Sequence, residues 1–336
     1  MAVTTQAATG ITNSLQEYFS KQLLHQITQN LVLDQFAYRQ ALPEKAGKKA
    51  VRFFRYVEPS TGDIENLTEG DNDTFAATSA GRGRYKTLTL GYVDATLSSY
   101  GQVVGLSDIL QATELFNHME QATIVNGQDA ALHLDTKISY TLGDDGGSMT
   151  ANKIARYAGA SAWYTSAPTS AQVMSGLELL DTATALKVNN APTTNGYYTA
   201  VADPRVLRDL QNDSDWISSR HYGDPDAIFK GEVGKYAGIR CIESTNSYRL
   251  ANGSGNQFTY ASGGDVYSTF VFGDQAYGVV DLASQSPYSP KMLIAQGADK
   301  NDPLAQITTV GFKTYYGQVI LQAKFLAQVY SGTNYS

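Results

Sequence analysis

Apolar residues recur every four positions through Leu15, Phe19, Leu23, Ile27 and Leu31. That spacing predicts an amphipathic helix over residues 13–42, preceded by a small, polar arm at 1–12 and ended by Pro43. The pattern changes after residue 48. Val51, Phe53 and Phe54 begin one strand-like stretch, and Leu88, Leu90 and Tyr92 alternate in a second. A long polar segment joins them, so the region reads as an extended β-hairpin. Such a ribbon has too little apolar surface to stand alone and must lie on something else, a neighbouring subunit being one candidate. Ser107 and Asp108 suit the start of a helix. Its apolar face runs through Ile109, Ala112, Leu115, Phe116, Met119, Val125, Leu132, Leu134 and Ile138 to about residue 140. Roughly 34 residues at ~1.5 Å each predict about 50 Å of helix, weakened at Gly127 by ~1 kcal/mol relative to Ala.

The second half mixes shorter elements. Val173, Leu177, Leu180, Ala183 and Leu186 place a helix over 169–187, and residues 197–202 form a strand. Asp203-Pro204 opens another helix, with Asp as cap and Pro in the first turn. Residues 236–244 and 267–282 read as strands, separated by a Gly/Ser/Asn-rich loop at 252–264. Val319, Leu321, Ala323, Phe325, Ala327 and Val329 alternate with Gln318, Gln322, Lys324 and Gln328, which predicts one long strand with a single buried face. There is no internal repeat and no clean linker. The expected fold class is α+β with interleaved regions.

Composition narrows the function. The chain has 336 residues, 42% hydrophobic and 17% charged, enough for a sizeable core and too apolar for global disorder. Tyr outnumbers Phe and Trp, 22 against 12 and 2; a ring with a polar tip suits partly wet protein contacts as well as ordinary strands. The formal net charge of −7 lacks the basic stripe of a duplex-gripping protein, so any nucleic acid is expected to be enclosed and not tightly bound. A single cysteine excludes an intrachain disulfide. The N-terminus has no basic or apolar leader, and no apolar run approaches the ~20 residues of a membrane span. A soluble protein made in a cytoplasm is expected.

No motif points to catalysis. His25, His118, His133 and His221 are scattered; Glu114/His118 and Asp129/His133 have helical i, i+4 spacing but no third ligand, and read as solvated helix-face pairs. Cys241, between Arg240 and Ile242 in a strand, reads as a small core residue and not as a nucleophile. Gly231 to Tyr236 lacks phosphate-loop spacing, Gly81-Arg82-Gly83 lacks a third Gly, and no nucleophile elbow occurs. No enzyme, cofactor or metal is expected. The remaining candidates are charges on opposite arms of the hairpin. They are Arg82, Arg84 and Lys86 against Glu65, Glu69, Asp71 and Asp73. They pair within the hairpin or across subunits, or are solvated charges worth ~0–1 kcal/mol each.

The order of parts resembles the major capsid proteins of tailed bacteriophages with the Hong Kong 97-type fold. Leu67-Thr68-Glu69-Gly70 in the hairpin is similar to a segment of the capsid family typified by coliphage N-4. So are Tyr100-Gly101 with Leu106-Ser107-Asp108 at the helix start, and the strand from Gly234 to Ser244. Gly273-Asp274-Gln275-Ala276-Tyr277-Gly278, Asp302-Pro303-Leu304 and Val310-Gly311-Phe312-Lys313 resemble its late segments. The resemblance covers about residues 15–330. It implies an N-terminal arm and helix (1–45), an extended hairpin loop (46–105), a peripheral domain with a spine helix and long strand (106–165 and 300–336) and an axial domain (166–299). It further implies hexamers and pentamers that self-assemble into an icosahedral virion shell around double-stranded DNA, with synthesis in a bacterial host cytoplasm and no membrane. The N-terminus lacks a long charged helical extension, so a separate scaffolding protein is expected, beside a portal and, optionally, a decoration protein. No cross-linking pair is evident. Two other readings stay open: an encapsulin-like cellular compartment, and a hydrolase or binding protein with an unrecognised site.

Overall fold

A computed structural model describes residues 31–42, 49–56, 90–113, 117–143, 154–157, 173–213, 234–250, 266–282, 291–295 and 302–334. The helix expected over 13–42 does not extend into the described part. Leu33–Phe36 is one 3₁₀ turn and β1 (Tyr38–Leu42) is a strand. Leu31 and Leu33 are both buried. Residues two apart lie on opposite sides of a helix, whereas this irregular path buries both toward one core. Positions 13–30 of the expected helix lie outside the described residues.

Two larger sheets carry the fold. The five-stranded sheet is built around β13 (Ile307–Ile320), which pairs antiparallel with β4 (Ser98–Ser107), β12 (Lys291–Ala295) and β11 (Tyr277–Leu282); β1 pairs parallel with β11. The seven-stranded sheet runs β5 (Ile154–Tyr157), β14 (Leu326–Ser331), β10 (Val266–Phe272), β6 (Tyr198–Ala202), β8 (Ile239–Glu243) and β7 (Lys235–Tyr236), with β9 (Arg249–Leu250) on β10. A two-stranded ribbon joins β2 (Ala50–Tyr56) to β3 (Leu90–Thr96). Among the described residues no helix is long and apolar enough to cross a membrane.

Every residue of β10 and β14 is buried because both faces of this sheet are covered. The pleat sorts them. Val266, Phe270, Phe272, Leu326 and Tyr330 join one apolar cluster, and Tyr267, Val271, Ala327 and Val329 join the other. The first cluster is closed by the helix at His118–Gly143. The second is closed by the helices at Gly176–Val188 and Pro204–Gln211. At ~1.5–3 kcal/mol per large apolar side chain, these two interfaces dominate the stability.

Five sequence expectations change here. The long helix from Ser107 is two helices, α1 (Asp108–Thr113) and α2 (His118–Gly143). Ser107 Oγ does accept from Leu110 N at 3.3 Å. A second start follows at Asn117, whose Oδ1 accepts from Glu120 N at 3.4 Å. The 26 residues of α2 span about 39 Å and pass through Gly127 without interruption. Val125 and Leu132, expected on its buried face, are exposed; Leu134 and Ile138 of that face are buried, and Ala122, Ala130, Ala131 and Leu142 complete the side toward the sheets. Small residues allow close approach: a methyl on Gly143 would sit 2.4 Å from Tyr248 Cγ.

The helix expected over 169–187 is α3 (Gly176–Val188). It starts late because Ser175 and Glu178 form a reciprocal capping box. Leu177 and Leu180 are exposed, while Leu179, Ala183 and Leu186 are buried. The helix at Asp203-Pro204 is as read: α4 (Pro204–Gln211), with Asp203 Oδ1 accepting from Arg205 N at 2.9 Å. The strand expected at 236–244 is a hairpin. Tyr236 faces Ile239, and Ala237 and Gly238 between them have φ of 52° and 83°, the geometry of a type I′ turn.

The remaining correction shapes the molecule. The strands expected at 267–282 and 319–329 each break in two. The halves lie in different sheets: β10 and β11 around Gly273–Ala276, and β13 and β14 around the 3₁₀ turn Ala323–Phe325. The two crossings brace each other. Gly273 N donates to Phe325 O at 3.0 Å, and Leu321 N and Gln322 N donate to Ala276 O at 3.0 and 3.1 Å. Gln328, expected on a solvated face, is buried and donates to Ser268 Oγ at 2.8 Å.

Candidate functional site

The charged candidates Glu65, Glu69, Asp71, Arg82, Arg84 and Lys86, with Asp73, lie outside the described residues. The two strands that flank them in sequence, β2 and β3, are described. The inner face of this ribbon, Val51, Phe53 and Ala95, packs with Leu42 and Val280 on the five-stranded sheet. Its outer face is apolar too. Phe54 faces Tyr92 and Tyr56 faces Leu90, at 63%, 57%, 67% and 49% exposure. Arg52 caps this row by a two-pronged pair with Asp94 at 2.7 and 2.8 Å, and its guanidinium lies 3.9 Å from the Tyr92 ring centroid. The row is a contiguous exposed apolar patch, the kind of surface found at contact sites. Apolar side chains at both parities of residues 51–56 carried that signal in the sequence.

Sequence reading missed a second feature, a buried polar joint. Asp135 on α2 is fully buried. Its Oδ1 accepts from Leu33 N at 2.8 Å and Val32 N at 3.3 Å; its Oδ2 accepts from Asn246 Nδ2 at 3.0 Å and Ser244 Oγ at 3.5 Å. One carboxylate thereby ties the 31–33 segment, α2 and the turn after β8 together. Burial pushes its pKa up, opposed by Asn246 and by the Leu33 and Val32 amides. Beside it, buried Asp34 accepts from Tyr316 OH at 2.5 Å and pairs with Arg39, while Tyr277 OH donates to Leu33 O at 2.5 Å. Burial, then the charges of Asp34 and Asp135, raises the Tyr277 pKa well above its usual value. The phenol therefore keeps its proton and stays a donor. A lone Asp in a helical stretch carries no local sign of such partners.

Few of the candidates for chemistry fall on described residues. No group of three metal-ligating side chains occurs among the described residues. His133 stacks edge-on against Tyr100 with centroids 5.0 Å apart, and burial followed by Lys137 lowers its pKa. His25, Glu114 and His221 lie outside the described residues. Cys241 is buried and burial pushes its thiol up to about 12, the opposite of an activated nucleophile. In the native protein Cys241 is expected to resist a thiol reagent at mildly alkaline pH and to react fully after denaturation. Rapid labelling of folded protein would contradict its burial.

Residues 137–290 match the family described as phage capsid protein. No curated protein matches the chain in sequence. Among solved structures, the capsid of cyanophage Pam1 is similar at a TM-score of 0.66 and 12% identity, covering 93% of each chain. The capsid of cyanophage P-SCSP1u is similar at 0.64 and 15% identity, covering 90% of this chain and 89% of that one. The holo-SrpI encapsulin complex of Synechococcus elongatus is similar at 0.53 and 10% identity, covering 88% and 85%. Over about nine-tenths of its length the chain has the fold of phage capsid subunits, and within residues 137–290 it carries the sequence pattern of a phage capsid protein family.

Proposed function

We propose that the chain is the major capsid protein of a tailed bacteriophage, a structural subunit that self-assembles into an icosahedral shell. The carrying observation is the capsid fold over nearly the whole chain, joined to a ribbon whose outer aromatic face no part of the described subunit covers. A second copy covers that face. Because the ribbon and its landing site are different surfaces, the contact is head-to-tail and closes into rings, read as hexamers and pentamers. Each contact is weak alone, and repetition around the shell makes the whole stable.

In this reading the fold is of the Hong Kong 97 type and of the N-4-like capsid family. Residues 106–165 and 300–336, with α2, β13 and β14, form the peripheral domain. Residues 166–299, with α3, α4 and the strands β6 to β12, form the axial domain, 46–105 is the extended loop, and residues before 46 form an arm. The net charge of −7 lets double-stranded DNA be enclosed without general adhesion to the wall. A separate scaffolding protein, a portal and optionally a decoration protein complete the set of partners, with synthesis in the host cytoplasm.

Co-expression with a scaffolding protein is expected to yield large hollow particles in sedimentation and negative-stain microscopy. A strictly monomeric product would overturn the reading. Reversing Arg82 and Arg84 to Glu is expected to cut particle yield by about tenfold or more, the effect of ~1.4 kcal/mol or more lost per contact. Subunit stability is expected to be unchanged. Normal assembly with an unstable subunit would place these charges inside the hairpin. The encapsulin likeness keeps a cellular compartment as the second reading. Particles purified from their source that hold an enzyme and no DNA would decide for it.

A further inference from the structure

The sequence holds Asn-Gly at 126–127, 195–196 and 252–253, the last outside the described residues. The first two stand in opposite settings. Asn126-Gly127 lies inside α2, where both residues are buried and Asn126 Nδ2 donates to Val310 O at 3.2 Å. Asn195-Gly196 forms the tip of the turn that leads into β6, and both residues are exposed. Their φ values of 54° and 83° are those of a type I′ turn. Thr194 N donates to Tyr197 O at 3.0 Å and Tyr197 N to Thr194 O at 3.1 Å. The two hydrogen bonds that close the turn therefore leave the Gly196 amide outside both.

This dipeptide sets a nucleophile beside an electrophile, and Asn is a thermally labile side chain. The backbone nitrogen of Gly196 gives up its proton and attacks Asn195 Cγ. The new C–N bond closes a cyclic succinimide, the Cγ–Nδ2 bond breaks, and the side-chain nitrogen leaves as ammonia, which carries off the proton from Gly196. Water then opens the ring. Addition at Cγ gives an aspartate at this position. Addition at the main-chain carbonyl carbon gives isoaspartate, in which the backbone runs through the side-chain carbons. Water is the one co-reactant, and nothing is oxidised or reduced. Ring closure requires the peptide between Asn195 and Gly196 to rotate. Glycine puts no Cβ beside the attacking nitrogen. Even a Cβ built at Gly196 would meet no atom within 4 Å, so the tip has room to turn. The Gly127 nitrogen is instead held in the backbone of α2, and the same rotation there would break the helix.

We propose that Asn195-Gly196 is a site of spontaneous covalent modification, through which each subunit slowly gains a negative charge at the entry to β6. Residues 191–199 carry no charged side chain, so the product places the first charge on this stretch. The isoaspartate form also lengthens the main chain of the turn that sets the Thr194–Tyr197 pairing. The test incubates the unassembled full-length protein in mildly alkaline buffer, folded and in urea, and maps its peptides by mass at intervals. Its result is independent of whether shells form. In the folded protein the peptide holding Asn195 is expected to exchange its side-chain NH2 for OH and to split into two products of equal mass. It is expected to convert about tenfold or more faster than the peptide holding Asn126, which the native helix protects. In urea the two peptides are expected to convert at similar rates. An unchanged Asn195 peptide in folded protein, over a period in which the urea sample converts fully, would overturn the assignment. So would equal rates at the two sites in the folded protein.

Discussion

Replacing Asp135 with Ala is expected to lower the unfolding free energy of the unassembled subunit by about 3–5 kcal/mol. The carboxylate serves the amides of Val32 and Leu33 and the side-chain amide of Asn246. Each buried donor left without an acceptor costs ~1–3 kcal/mol. Set against a total of ~5–15 kcal/mol, that loss brings the subunit close to unfolding at ordinary temperature. Urea denaturation followed by circular dichroism measures it, and a change under about 1 kcal/mol would mean the joint is not structural. The same residue sets a pH dependence. Burial raises its folded pKa above the unfolded value. The proton is therefore held more tightly in the folded chain. The contribution of this group to stability is fully present below the unfolded pKa and is lost as pH rises through the folded one. As pH falls from neutrality toward ~4, the wild type is expected to gain stability relative to Asp135→Asn, which cannot take up that proton. Parallel curves for the two proteins would show that Asp135 does not titrate between the two states.

Adding one methyl group at Gly273 is expected to destabilise the subunit by about 2–4 kcal/mol, through overpacking and lost hydrogen bonds. Gly273 lies in the crossing from β10 to β11. A Cβ there would stand 2.4 Å from the carbonyl oxygen of Pro192, a backbone atom that cannot swing aside. That oxygen also accepts from Asp274 N at 2.9 Å, and Gly273 N donates to Phe325 O at 3.0 Å. Moving the turn to relieve the clash strains both bonds and shifts the sheets against each other. Gly105→Ala is the control. Its added methyl would lie 3.5 Å from Ile307 Cγ2, an ordinary contact, and is expected to cost less than about 0.5 kcal/mol. Equal effects at the two glycines would show that the crossing is not the rigid joint its geometry implies.

Element types and several boundaries were legible in the sequence because they depend on near neighbours. Asp203-Pro204 specifies its helix start with its own cap and ring. Residues 198–202 form a strand inside their expected range. Cys241 is buried as its apolar setting indicates. Asn117 with Glu120, and Ser175 with Glu178, carried cap signals at the same short range and explain where α2 and α3 begin. The capsid resemblance rested on short motifs in order, several of which fall in β4, β8, β11 and β13.

What tertiary structure decided is which sheet each strand half joins and which face is covered. Alternation in 319–329 is the same whether the strand continues or crosses. It breaks because Ala276 O captures the amides of Leu321 and Gln322. Gln328 reads as solvated until Ser268 supplies a buried partner, and Asp135 gains its buried role only because Leu33, 102 positions away, donates to it. Caps and periodicity act over a few residues, whereas the burial of a polar group is settled by whatever the fold brings to it from a distance. The ribbon from β2 to β3 belongs to both lists. Its strands and their two apolar faces were written locally, but that one face rests on the subunit's own sheet and the other is left open only the fold could decide.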